Sequence, residues 1–73
     1  MRRARNQAMD AVTFDEAHEV LVVEEDGRES YHQTLLPGRR HRAANWAAYT
    51  QAFEVAEVIG GTVRIRRLAK GGE

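Results

Sequence analysis

The feature that most constrains the fold is a hairpin pattern in the first half of the chain. A run of apolar residues from Val20 to Val23 is followed by Asp26-Gly27 and then by an alternating stretch from Arg28 to Leu36. Asp-Gly is typical of the two-residue type I′ turn, because both central residues of that turn take positive φ. Strand-like stretches on either side of such a turn predict two antiparallel strands.

A helix and a third strand are predicted in the second half. After Pro37-Gly38, apolar residues recur at helical spacing from about Arg39 or Ala43 to Ile59. Gly60 is expected to end this helix in the left-handed conformation, and a short strand should follow from Thr62 to Leu68. The expected inward residues are Trp46, Ala48, Tyr49, Ala52, Phe53, Val55, Ala56 and Ile59 on the helix, with Val63 and Ile65 on the strand.

The start of the first strand is open to two interpretations. We predict a strand from about His18 to Glu25, because its valines are β-branched and favour extended backbone. However, Thr13 and Glu16 have capping-box spacing, which favours a helix from Phe14 to Glu25. The sequence therefore does not decide the conformation of residues 14–18.

The predicted pairing assigns each strand residue to a face. A two-residue turn would place Val23 opposite Ser30 and Leu21 opposite His32. Since side chains alternate along a strand, the first strand is apolar on both faces, which suits the centre of a sheet. One face is expected to carry Val20, Val22, Tyr31 and Leu35, and the other Leu21, Val23, His32 and Leu36.

Connection rules complete a ββαβ topology. A right-handed crossover through the helix places the third strand beside the first, so the strand order is 2-1-3 and all neighbours are antiparallel. We therefore predict an α+β fold, a three-stranded antiparallel sheet with one amphipathic helix on one face. Residues 1–12 are expected to form a flexible basic arm, 13–70 the domain and 71–73 a tail. The uncovered sheet face, with Leu21 and Val23 as its apolar part, is a predicted contact surface.

The size of the chain limits what it can do alone. Seventy-three residues form one small domain with a modest core, and the absence of cysteine excludes disulfide stabilisation. Oligomerisation or docking on a larger protein is therefore the expected additional source of stability. The longest apolar run is four residues, too short for a membrane span or signal peptide, so we expect a soluble cytoplasmic protein without membrane contact.

The net charge of zero hides a strong segregation along the chain. Residues 10–29 carry eight acids against Arg28 alone, a balance of −7. Residues 1–9 carry three arginines, and residues 30–53 carry Arg39, Arg40 and Arg42 with no acid. This segregation favours a role in electrostatic recognition.

No motif in the chain predicts catalysis. His18, His32 and His41 lack the spacing of metal ligands, and Ser30 with His32 lacks the orienting acid and oxyanion site of a nucleophile–base pair. Gly60-Gly61 follows a helix instead of opening one, unlike a phosphate-binding loop. We therefore expect no catalytic, cofactor or metal site and no enzymatic activity.

Two charged clusters are the candidate binding residues. The acidic one, Glu24, Glu25, Asp26 and Glu29, is either a solvated turn or a surface for a basic partner. The basic one lies at or before a helix N-terminus, where the macrodipole disfavours cations. It therefore indicates a nearby anion, namely a phosphate, a partner's carboxylates or the acidic hairpin itself, unless it is a solvated loop before a helix capped by Asn45. Its residues are Arg39, Arg40 and Arg42.

These features favour a non-enzymatic protein-binding module. The more specific hypothesis is an inhibitor whose acidic hairpin occupies a basic nucleic-acid-binding surface of a nucleic-acid-handling complex. Anti-defence proteins of phages and other mobile elements, including anti-CRISPR proteins, are often of this size and charge, but they share no common motif. The alternative is a small DNA- or RNA-binding regulator using Arg39, Arg40, Arg42, Arg64 and Arg66. The same charge segregation also suits a homodimer, and Trp46 at the edge of the apolar arc suits an interface anchor.

Overall fold

A computed structural model describes residues 12–68 and confirms the α+β ββαβ fold. The elements are β1 (His18–Val23), β2 (Glu29–Leu35), a 3₁₀ turn (Arg39–His41), α1 (Arg42–Ile59) and β3 (Thr62–Arg67). The sheet has the order β2-β1-β3, and β1 is antiparallel to both neighbours. The helix packs on one face of this open sheet.

The start of β1 is extended, so the helical interpretation of residues 14–25 is wrong. Residues 13–17 form no regular element, and the strand begins at His18. The Phe14 ring packs against the core and stacks on His18 with ring centroids 4.0 Å apart, while the Phe14 carbonyl accepts the Gly38 N–H at 3.0 Å. These contacts connect the residues before β1 with the loop after β2. A continuous helix from Phe14 to Glu25 would not allow them.

The hairpin turn has three residues, not the two that Asp26-Gly27 predicted. The Gly27 N–H donates to the Glu24 carbonyl and the Glu24 N–H to the Arg28 carbonyl, both at 2.8 Å. Gly27 takes a φ of 90°, whereas Asp26 does not have the positive φ that a type I′ turn requires. Asp26 instead accepts the Arg28 N–H on Oδ1 at 2.9 Å, which stabilises the turn locally.

A β-bulge restores the predicted register beyond the turn. Val22 pairs with Ser30 and Leu21 with His32, so Tyr31 is the extra residue and has a φ of 53°. The predicted pair of Val23 with Ser30 is therefore wrong, because the longer turn shifts the first pairs by one residue. The bulge then absorbs that shift, and the predicted pair of Leu21 with His32 is confirmed.

The core lies between β1, β2 and one face of α1. Its buried residues are Val20, Val22, Leu35, Ala52 and Ala56, and Tyr31, Tyr49 and Val63 pack against them. The predicted inward position is confirmed for Val20, Val22, Tyr31, Leu35 and Val63. Ile65, Phe53 and Ile59 were also expected to be inward but are 36%, 50% and 41% exposed. The Tyr31 hydroxyl donates to Gln51 Oε1 at 3.0 Å and lies 3.3 Å from the Ala48 carbonyl, which places that flank of the helix over β2.

Asn45 lies inside the helix instead of capping it. It is 2% exposed and connects three segments of the chain. Its Nδ2 donates to the carbonyls of Val12 and Leu36, each at 2.9 Å, and its Oδ1 accepts the Leu36 N–H at 3.0 Å. Val12, the last residue of the predicted arm, is fully buried. The rest of that arm and the tail at 71–73 lie outside the described residues.

The two glycines after the helix have different functions. Gly60 ends α1 with a φ of 74°, as predicted. Gly61 is needed for space, since a Cβ there would lie 2.6 Å from Val22 Cγ1 and 2.8 Å from the Val23 carbonyl oxygen. This close approach places the end of the helix next to the end of β1, where the hairpin turn begins.

Candidate functional site

The hairpin turn and the end of the helix form one acidic end of the molecule. Gly61 contacts the last residues of β1, so the last turns of α1 lie beside the hairpin. Glu54 and Glu57 lie in those last two turns. Burial, and to a smaller extent the nearby negative charge of Glu54, raises the pKa of Tyr31. We define the acidic end by its carboxylates, Glu24, Glu25, Asp26, Glu54 and Glu57.

Not all of these carboxylates are available to a partner. Glu24 accepts a hydrogen bond from Arg28 Nη2 at 2.9 Å and another from the Ser30 hydroxyl. The Arg28 bond, followed by the Ser30 bond, lowers the pKa of Glu24. In contrast, Glu25 and Asp26 are exposed and make no ion pair within residues 12–68. The free charge of the hairpin therefore lies at its tip.

Glu54 and Glu57 are two functional candidates that the sequence alone did not predict. Both are exposed on α1. Glu57 also lines a shallow depression of about 360 Å³, together with Phe53, Ala56 and Gly61. The sequence does not reveal that these acids lie near the hairpin, because more residues than the whole of α1 contains separate them from it. The signal that could have found them is the predicted topology, which returns the end of the helix to the hairpin end of the sheet.

The charges on α1 have the opposite signs from those that stabilise a helix. The first turn contains no acid and the last turn no base, while Arg42 begins the helix and Glu57 lies in its last turn. A helix macrodipole favours anions at its N-terminus and cations at its C-terminus, by roughly 0.3 to 1 kcal/mol per charge. This arrangement therefore costs stability, and it adds to the dipole of α1 instead of opposing it.

The basic cluster lies at the other end of the helix. Arg39 and Arg40 are exposed in the 3₁₀ turn and make no ion pair with any described residue. His41 Nδ1 is 2.8 Å from the Pro37 carbonyl oxygen, which holds the turn in place. The predicted acidic and basic clusters thus lie at opposite ends of α1 and do not neutralise each other.

A closed ring of charges covers the centre of the helix-free sheet face. Arg66 contacts Glu19 at 3.0 Å and Glu29 at 2.9 Å, and His32 lies 3.0 Å from Glu19 and 3.9 Å from Glu29. The hydrogen bond with His32 and the contacts with Arg66 lower the pKa of Glu19, against the opposing effect of burial. The ring therefore joins all three strands on this face.

Leu21 lies beneath this ring, which corrects the expectation of an exposed apolar surface. Leu21 pairs with His32 on β2 and with Arg64 on β3. The ion pair between Arg66 on β3 and Glu29 on β2 crosses over Leu21. Leu21 is consequently only 2% exposed, and Val23 is half-buried. Glu29 and Arg66, both predicted partner-binding residues, are bound to each other here. Arg64 makes no ion pair within the described part of the chain.

The remaining polar candidates do not form a reactive site among the described residues. The Ser30 hydroxyl bonds Glu24 and His32 bonds Glu19, so the two side chains are not paired with each other. His18 Nδ1 lies 2.8 Å from the Glu16 carbonyl oxygen. Within residues 12–68, no group of three histidine or carboxylate side chains is placed to hold a metal ion.

The aromatic residues of α1 form a ladder on the flank away from Tyr31. Trp46 and Tyr49 have ring centroids 5.6 Å apart, and Tyr49 meets Phe53 edge-on at 4.9 Å. Tyr49 packs on the core, Trp46 is half-buried, and Phe53 is 50% exposed. This ladder is therefore only partly a core feature.

In comparisons with known proteins, no family model, no curated protein and no solved structure matches the chain. Among the described residues, no helix has the length and apolar character needed to cross a lipid bilayer.

Proposed function

We propose that this protein acts by binding and docks its acidic end onto a basic surface of a larger protein. The observation that carries the proposal is the reversed charge on α1 next to the acidic hairpin. Charges that cost stability and yet extend one polarity through the molecule are expected where recognition requires them. Complementary charge would steer the protein to its partner and set its orientation.

The finer proposal is that the partner surface normally holds nucleic acid. The exposed carboxylates of Glu25, Asp26, Glu54 and Glu57 offer the negative charge that such a surface attracts. Occupying that surface would make this protein an inhibitor, of the kind that phages and other mobile elements direct against host defences, an anti-CRISPR protein for example.

Affinity capture with matched baits tests this proposal. The baits are the wild type, Glu25→Gln/Asp26→Asn at the acidic end, and Asp15→Asn/Glu16→Gln before β1. Both variants remove one aspartate and one glutamate charge from exposed positions, and the asparagine introduced at position 26 can still accept the Arg28 N–H. We expect a nucleic-acid-binding protein from nuclease-treated host extract to be retained by the wild type and the second variant and lost by the first.

The retained protein should then release its DNA or RNA when the wild type is added, and much less when the acidic-end variant is added. Retention of the same proteins by all three baits would overturn the proposal. Simultaneous binding of nucleic acid and this protein would refute the inhibitor form alone.

Direct nucleic-acid binding is the second candidate, because Arg39 and Arg40 are exposed and make no ion pair within residues 12–68. Arg64 and Arg66 lie on the helix-free sheet face, so the predicted arginines do not share one surface. A gel shift that weakens steeply with salt and is lost in Arg39→Ala/Arg40→Ala would favour this candidate over the first.

A further inference from the structure

The two edges of the sheet differ in their ability to accept another strand. The outer edge of β2 is interrupted by the bulge at Tyr31, and a bulge twists a strand and disrupts its pairing. In contrast, β3 pairs with β1 over six residues without a shift in register. The uninterrupted edge is therefore the one that an extended peptide could join.

The register identifies which backbone groups are free on this edge. The Leu68 N–H donates to the Ala17 carbonyl at 3.2 Å, so these two residues form a hydrogen-bonded pair. Hydrogen-bonded and non-hydrogen-bonded pairs alternate along an antiparallel ladder. It follows that Arg64 and Arg66 bond β1, while the N–H and C=O groups of Val63, Ile65 and Arg67 point away from the sheet.

The helix side of this edge is apolar and incompletely covered. The Ala48–Gln51 flank of α1 lies over β2, so the flank with Trp46, Tyr49 and Phe53 lies towards β3. Ile65 is 36% exposed and Phe53 is 50% exposed. A strand beside β3 could bury both.

The opposite side of the edge is basic. Arg64 projects there without an ion pair among the described residues, whereas Arg66 beside it is already paired with Glu19 and Glu29, so Arg64 is the uncompensated cation of this side. A depression of about 400 Å³ borders the strand and is lined in part by Arg64, Ile65 and Arg66. Antiparallel pairing of β3 with a second β3 would place arginines opposite arginines, which disfavours a copy of this chain.

We propose that the free edge of β3 binds an extended acidic peptide as a fourth strand. Acidic residues at alternate positions would lie on the face of Arg64, where the nearest would pair with it, and the intervening apolar residues would pack against Ile65 and Phe53. Backbone hydrogen bonds at Val63, Ile65 and Arg67 would supply affinity, and the alternation would supply specificity. This interface goes beyond the acidic end and uses none of its carboxylates for binding.

Amide hydrogen exchange followed by NMR tests the proposal. The probe is a short peptide with blocked ends in which glutamate alternates with valine. It should slow exchange of the Val63, Ile65 and Arg67 amides by about tenfold or more, since these groups bond no other residue of the described range 12–68. A peptide in which lysine alternates with valine, and a glutamate–valine peptide with the residues in separate blocks, should have little effect.

Two variants give the proposal independent controls. Ile65→Pro removes an outward N–H without removing a bond to β1, so it should fold and lose the peptide. Arg64→Glu should reverse the preference from the glutamate peptide to the lysine peptide, and this comparison decides the question even if the proline variant fails to fold. Equal protection by both alternating peptides, no protection by either, or slow exchange at these amides in a free dimer would each overturn the proposal.

Discussion

At the scale of single residues, Asn45 is the polar group on which the fold depends most. Its amide satisfies the Val12 carbonyl and both backbone groups of Leu36 from a site that is almost fully buried. Removing a buried partner leaves groups unsatisfied at a cost of about 1 to 3 kcal/mol. We expect Asn45→Ala to lower the free energy of unfolding by about 2 to 4 kcal/mol, since more than one group is affected.

Urea denaturation followed by circular dichroism measures this loss. The matched control is Glu54→Ala, a polar-to-alanine change at an exposed site on the same helix, which should alter stability by less than about 0.5 kcal/mol. Equal effects of the two changes would contradict the function assigned to Asn45.

Glu19 gives the charge ring a pH dependence. The pKa of Glu19 is lowered from its ordinary value of 4.5 by the contacts with His32 and Arg66. A carboxylate with a lowered pKa in the folded state stabilises the protein above that ordinary value, and this contribution is lost as the pH falls through the lowered pKa. Stability should therefore decrease on acidification below about pH 4.5.

Urea midpoints measured at several pH values test this dependence. In Glu19→Gln the midpoint should be lower at neutral pH and should change less on acidification than in the wild type. Some dependence should remain, because the pKa of Glu24 is also lowered. The control Glu25→Gln changes an exposed side chain and should retain the wild-type profile. A Glu19→Gln profile identical to the wild-type profile would show that the ring makes no such contribution.

At the scale of the elements, the reversed charges on α1 predict that a single substitution stabilises the helix. Glu57→Lys places a cation in the last turn, where the macrodipole favours it. We expect it to raise the free energy of unfolding by about 0.3 to 1 kcal/mol. Glu54→Lys removes the same repulsion between Glu54 and Glu57 but lies a turn earlier, so its gain should be smaller, because the dipole effect falls off within the last turn.

Thermal or urea unfolding of both variants gives the comparison. A destabilising Glu57→Lys would mean that the acid at this position contributes to stability, and the argument that its charge serves recognition would fail. If Glu57→Lys stabilises the protein and also weakens capture of the partner, stability and binding make opposite demands on this residue.

The elements themselves follow from the sequence because their signals are local. The β-branched run of β1, the apolar arc of α1 and Gly60 at its end predict each element to within a few residues. The hairpin turn was predicted with the wrong length, since Asp-Gly also suits a turn in which glycine alone takes positive φ. The bulge at Tyr31 has no local signal, because it compensates for that turn in the register of the pair.

At the scale of the whole molecule, the strand order follows from the sequence, but only part of the candidate site does. Connection rules give the order 2-1-3 from the element order alone. The acidic hairpin is visible as a charge run, whereas Glu54 and Glu57 join it only after the chain has folded. The alternation of side chains along β1 predicts that Leu21 is exposed on the helix-free face. In the structure, Arg66 and Glu29 cover it, because their side chains reach across the strands to each other. Alternation alone does not predict such contacts.

An NMR titration with a short arginine peptide, blocked at both ends, locates the surface that attracts a basic partner. Amide shifts should change at Glu25, Asp26, Glu54 and Glu57, weaken with added salt, and largely disappear in Glu25→Gln/Asp26→Asn while persisting in Asp15→Asn/Glu16→Gln. Shift changes centred on residues 15 and 16, or unaffected by the loss of charge at the hairpin tip, would contradict the assignment of the acidic end as the docking surface.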